Sequence, residues 1–144
     1  MKKNTAELTV ASLFVLLFLY AAVSKIIDFQ KFRIQLAQSP LLTVYAAWFA
    51  WFVPALEIGI SIILLSNRWR LIGLYSSFSL MVMFTAYIIA IMQFSEYIPC
   101  SCGGILQHMR WKGHLIFNIV FTLLAVTGVL LSPSQINQIP KPNL

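Results

Sequence analysis

The chain has 144 residues, of which 60% are hydrophobic, 14% aromatic and only 10% charged, with a formal net charge of +6. So little polar surface cannot cover a water-soluble domain of this size, and a mean hydropathy of +0.84 places the chain in a bilayer. The length excludes more than one four-helix unit, and the basic excess, spread over short loops, suits anionic lipid head groups rather than nucleic acid.

A hydrocarbon core about 30 Å thick takes about 20 apolar residues in a helix. Four runs qualify: residues 8–27, 43–65, 71–94 and 114–131. Backbone groups in lipid must pair within the segment, and the runs lack the polar alternation of a barrel strand, so the predicted fold is all-α. The expectation is one domain over residues 1–144, an integral membrane bundle of four transmembrane helices, with a polar tail from residue 132.

In chain order, Lys2 and Lys3 precede the first run. It is about a full span and continues past Ala22 and Ser24 into further helical pattern, so it reads as a retained helix rather than a cleaved secretory signal. Lys25 and Asp28, three apart at its end, read as an interfacial ion pair. The next stretch, DFQKFRIQLAQSP, sets Phe29, Phe32 and Leu36 at helical spacing and directs Lys31, Arg33, Gln35 and Gln38 elsewhere. It is predicted as a short interfacial helix between spans one and two. Ser39 and Pro40 then predict the start of span two, since Ser can cap and Pro needs no amide partner there.

Span two opens with Trp48, Phe49, Trp51 and Phe52, an aromatic belt, with Trp51 and Phe52 equally suited to packing inside the bundle. Pro54 predicts a break, and one turn on lies Glu57. A carboxylate in an apolar span costs on the order of a few kcal/mol and must face the bundle, either as a neutral hydrogen-bonding group or as a proton-handling one. The connection SNRWR is tight enough to make spans two and three antiparallel neighbours. In span four His114, Asn118 and Thr122 recur every fourth residue and form one polar stripe. Trp111, three residues before His114, is a candidate border of a quinone site, or an interfacial anchor. The tail, with three prolines, reads as a mobile end.

Between spans three and four lies YIPCSCGGILQHMRWKGH, which holds both cysteines, Cys100 and Cys102, and both histidines, His108 and His114. A C-x-C pair can close a small strained disulfide, easily reduced and therefore oxidising. His108, Arg110 and Lys112 are cations that would raise the thiolate fraction. Three chemistries fit these residues. The first is a thiol-disulfide redox pair with His108 or His114 assisting proton transfer. The second is a structural clip. The third is a copper or zinc site on Cys100, Cys102 and His108, soft ligands for a soft ion.

YAAVSKIIDFQKF at the end of span one resembles the DoxX-like membrane proteins. PALEIGISIILL in span two, and PCSCGGIL followed by W-x-x-H, resemble the MauE family, named for methylamine utilisation. The resemblance runs through all four spans and is most specific at CSCGG. It implies a four-helix inner-membrane protein associated with thiol redox and with maturation of an exported partner that needs disulfides. The chain has one cysteine pair where self-sufficient membrane disulfide generators usually have two. The resemblance therefore leads to the expectation of a partner protein or a larger membrane complex, with either thiol-disulfide oxidoreductase activity or a non-catalytic scaffold role.

Orientation is almost unmarked. Lys2, Lys3, Arg68, Arg70 and Lys141 fall on one side and Lys25, Lys31, Arg33, Arg110 and Lys112 on the other. The leading lysines favour the first side as cytoplasmic, which sets the cysteine loop toward the periplasm of a bacterial inner membrane, where disulfides persist.

Overall fold

The structure is a computed structural model that describes residues 2–40, 42–94 and 111–132, the side chains of residues 2–4 and 111 excepted. Its helices are α1 (Lys2–Ile27), α2 (Phe29–Gln38), α3 (Ala46–Leu65), α4 (Arg70–Phe94) and α5 (Trp111–Leu131). All but α2 are long and apolar enough to cross a membrane. This is a multi-pass, all-α membrane protein, and the described residues include no strand.

The spans form a ring. α1 packs on α3 and α5, and α4 packs on the same two, so each span has two neighbours and little contact across the diagonal. Buried positions follow the helical repeat: α3 buries residues 46, 50, 54, 57, the adjacent 60 and 61, and 64, so that one face returns every three or four residues. The shared core is built on Phe14, Phe18, Leu64, Leu74 and Met81. Phe14 meets Phe121 of α5 edge to face at 5.5 Å between ring centroids. Leu16, Ile62, Leu65 and Leu130 point outward, as suits a lipid-facing surface.

In lipid, transfer from water does not hold such helices together, so close packing and hydrogen bonds must. A Cβ on Gly73 would come within 2.8 Å of the Leu64 side chain and 3.1 Å of its backbone nitrogen, and one on Gly128 within 2.9 Å of Val10. Small residues thus bring α3 to α4, and α5 to α1, at one end of the bundle. At that end Ser132 Oγ donates to Glu7 Oε1 at 3.2 Å. Polar side chains inside the spans turn back on their own helices: Ser61 to Glu57 O at 2.8 Å, Ser77 to Gly73 O at 2.7 Å and Thr122 to Asn118 O at 2.7 Å.

The opposite end carries the close of α1, the whole of α2, the start of α3, the close of α4 and the start of α5. There α2 turns Phe32 and Leu36 inward onto Ala46 and Ala50, while Lys31, Arg33 and Gln38 are exposed. Two local expectations are corrected here. Ser39 does not begin the second span. It is the C-cap of α2, its amide donating to Leu36 O, and its extended backbone (φ −76°, ψ 126°) is what a following proline imposes. Turns follow, and α3 begins at Ala46. Nor does Pro54 break α3, which runs unbroken to Leu65 with Pro54 buried. Losing one backbone bond is tolerated where neighbouring helices hold the segment. Of the aromatic cluster, Trp48 and Trp51 are exposed, Trp51 against Phe29 at 4.5 Å, and Phe52 stacks on Trp48 at 4.8 Å.

Candidate functional site

The regular burial of α4 lapses at one point. Its buried side chains run Gly73, Leu74, Ser77, Leu80, Met81 and then Ile88 and Ile91, so the turn at Phe84 is missing from the series. A cavity of about 290 Å³ lies there, with Phe84 and Tyr87 in its wall. Every helix contributes to it. α1 supplies Phe18 and Lys25, α2 Phe32, and α3 Phe49 and Glu57. α5 supplies His114, Phe117 and Asn118.

Within this apolar enclosure sits a buried ion pair. Lys25 Nζ donates to Glu57 Oε1 at 2.6 Å, with side-chain exposures of 8% and 1%. The ammonium also lies 5.7 Å from the centre of the Phe32 ring and 5.8 Å from that of Phe84. One cation is thus held by a carboxylate of α3 and by rings of α2 and α4, and a desolvated cation over an aromatic face gains about 2 kcal/mol. The second carboxylate oxygen, Glu57 Oε2, is buried and has no hydrogen-bond partner among the described residues. Leaving such an acceptor unpaired costs about 1–3 kcal/mol, and more where it carries charge.

The pairing of Lys25 with Asp28 expected from sequence is therefore corrected. α1 ends at Ile27, and Asp28 is the non-helical N-cap of α2 (φ −100°, ψ 39°), so three-residue spacing no longer puts the two side chains on one face. Asp28 is exposed, whereas Lys25 is turned inward. Lys25 is also the site residue that sequence reasoning missed. The signal was present: a lysine still inside a 23-residue apolar span, in a chain with Glu57 as its one mid-span acid.

Of the residues singled out from sequence, Glu57, His114 and Asn118 come together around this cavity, although they are up to 61 positions apart. His114 and Asn118 are buried, and the polar stripe of α5 enters the cavity as far as Asn118, with Thr122 one turn beyond. Trp111 opens α5. Cys100, Cys102 and His108, with the copper or zinc site they would form, lie outside the described residues, as does the tail beyond Ser132.

The arrangement can present a donor from Lys25, an acceptor from Glu57 Oε2 and further polar contacts from α5 to a group held between aromatic rings. Its position follows from connectivity. Residues 95–110 join the close of α4 to the start of α5, at the end of the bundle that holds the cavity.

No curated protein and no solved structure gives a match to this chain. A family model does, that of methylamine utilisation protein MauE, over residues 3–131, from the first turn of α1 to the last residue of α5. With nearly the whole bundle so matched, including the stretches that hold Lys25, Glu57 and the two cysteines, the chain belongs to the MauE family.

Proposed function

We propose that this protein is a thiol-disulfide partner in the bacterial inner membrane that supports maturation of an exported protein. Cys100 and Cys102 supply the disulfide. A partner thiolate attacks one sulfur of the Cys100–Cys102 bond, which breaks as a mixed disulfide forms. The partner's second thiolate then resolves the adduct. The partner leaves with a new disulfide, and this chain keeps two thiols, two electrons and two protons richer. His108 or His114 assists proton transfer, and Glu57 and Asn118 belong to the polar group beneath.

The observation that carries this reading is the sequence position of the cysteine pair, in the segment that joins α4 to α5 and leads directly into the helix bearing His114 and Asn118, both in the cavity wall. Family membership supports it. The buried pair also bears on orientation. Lys25, neutralised by Glu57 inside the bundle, is no longer a loop charge. The balance becomes Lys2, Lys3, Arg68, Arg70 and Lys141 against Lys31, Arg33, Arg110 and Lys112, which favours the Lys2 and Arg70 end as cytoplasmic and the cysteine segment as periplasmic.

Trapping tests the proposal. With Cys100→Ser or Cys102→Ser, one lone thiol remains and cannot be resolved, so one of the two variants accumulates a dithiothreitol-sensitive adduct of higher mass on non-reducing gels. The double variant shows none. Absence of an adduct from both single variants, with the wild-type pair staying oxidised under mild reduction, would mean a structural clip. One tightly bound copper or zinc ion per reduced chain, lost with both cysteines, would mean a metal site.

A further inference from the structure

The cavity asks for a ligand of definite chemistry. Its wall is mostly aromatic and aliphatic, with Tyr87, His114 and Asn118 as further polar members, and it includes the pair Lys25 and Glu57, whose second carboxylate oxygen is buried without a partner among the described residues. Two of its lining residues, Phe52 of α3 and Met83 of α4, are 42% and 62% exposed on the outer surface. Both belong to helices apolar enough to cross a membrane, so this side of the cavity is the one a membrane-dissolved ligand would meet. A volume of about 290 Å³ is at the small end for ligand pockets and suits one substituted six-membered ring with its tail left outside. The aromatic residues Phe32, Phe84 and Phe117 in the wall suit a planar ring.

Hydrogen bonding narrows the class further. Glu57 Oε2 can only accept, so it calls for an O–H or N–H, while Lys25 can only donate and calls for an oxygen lone pair. A phenolic hydroxyl satisfies both at once. A carbonyl satisfies Lys25 alone.

We propose that this cavity binds the ring of a membrane-dissolved quinone, and holds the quinol form more tightly than the quinone because only the quinol can donate to Glu57 Oε2. Such a ligand also completes the chemistry of the cysteines. When Cys100 and Cys102 return from dithiol to disulfide, two S–H bonds break, one S–S bond forms, and two electrons and two protons pass to the quinone, whose two carbonyls become hydroxyls. That transfer rests on the function proposed above. The binding does not.

The test uses wild-type protein in nanodiscs of phosphatidylcholine, titrated under argon with a decyl-substituted benzoquinol, the matching quinone and the dimethyl ether of the quinol. The expected result is saturable binding of about one quinol per chain, about tenfold weaker binding of the quinone, and at least as large a loss with the ether, since a hydrogen bond to a charged group is worth at least a factor of ten. Glu57→Gln should bring quinol and quinone affinities together. Ala21→Phe, which adds a ring to the cavity wall and leaves both charged residues in the chain, should abolish binding of both. Equal affinity for quinol and ether, or displacement of the quinol by phosphatidylglycerol at similar concentration, overturns the site. Ligand chemistry on the wild type alone decides this even if neither variant folds. Quinol binding without a trapped partner adduct supports the site and sinks the thiol reading. An adduct without quinol binding sinks the site alone.

Discussion

Lys25 and Glu57 stand 32 positions apart in the chain, yet their charged atoms approach to 2.6 Å inside the ring of spans. The pair clamps α1 to α3, and through the rings of Phe32 and Phe84 it also fixes α2 and α4 to the same point. Its removal should be asymmetric. Lys25→Met or Glu57→Leu alone leaves a buried charge uncompensated and should cost about 3–5 kcal/mol. The double variant Lys25→Met/Glu57→Leu should recover most of that loss, because two apolar side chains suit the site. Unfolding in a detergent titration, run as a double-mutant cycle, measures the coupling. Independent, additive losses would show that the two groups do not act as a pair.

The glycines give a second prediction, with a control in the same bundle. Gly73→Ala drives a methyl group into Leu64, whose backbone nitrogen cannot move aside, and should destabilise by about 1–3 kcal/mol. At Gly59 an added methyl group meets nothing within 4 Å, so Gly59→Ala should be neutral or gain up to about 1 kcal/mol from helix propensity. Thermal unfolding midpoints of the two variants in one detergent check the order. If Gly59→Ala proved the more harmful, the close approach of α3 to α4 would be wrong.

Core truncation should behave differently here from the water-soluble case. Phe14 is fully buried against Phe18 and Phe121. The unfolded helix in a bilayer still shelters the ring from water, so Phe14→Ala should forfeit mainly the cavity contribution, about 2 kcal/mol for a void on the order of 100 Å³. Leu16, 68% exposed to lipid, should tolerate alanine within about 0.5 kcal/mol. Equal losses at the two positions, measured by the same unfolding titration, would count against this packing.

Orientation can be read directly from thiol labelling. An impermeant maleimide applied to intact cells after mild reduction should label Cys100 and Cys102, and should fail to label a cysteine introduced at Asn67 in a cysteine-free background until the membrane is opened. The reverse pattern would invert the proposed topology.

The spans and the amphipathic α2 were legible in the sequence because lipid imposes length and apolarity on every residue of a helix, and an interfacial helix shows its period in ten residues. Glu57, His114 and Asn118 were legible too, since polar groups stand out against such a background. Lys25 was given the wrong partner, because its nearest acid in sequence, Asp28, lies past the helix end while its true partner lies on another helix. Pairing between helices follows from their rotation in the ring, and no local spacing encodes it. The start of α3 was misread for a related reason: Ser-Pro can begin a helix or end one, and packing of α2 on Ala46 and Ala50 decided between them.

The position of Lys25 near the close of α1, and of Glu57 eleven residues into α3, bears on the order in which the membrane receives these helices. During synthesis α1 enters first, and a lysine close to its end can stretch its ammonium to the head groups while it waits. A glutamate that deep has a short side chain and no such refuge. The chain therefore delivers the group that can wait before the group that cannot, and α3 reaches the bilayer with its counter-charge already in place. A circular permutant that reversed this order, inserting α3 ahead of α1, would meet its barrier at the translocon rather than in the finished fold.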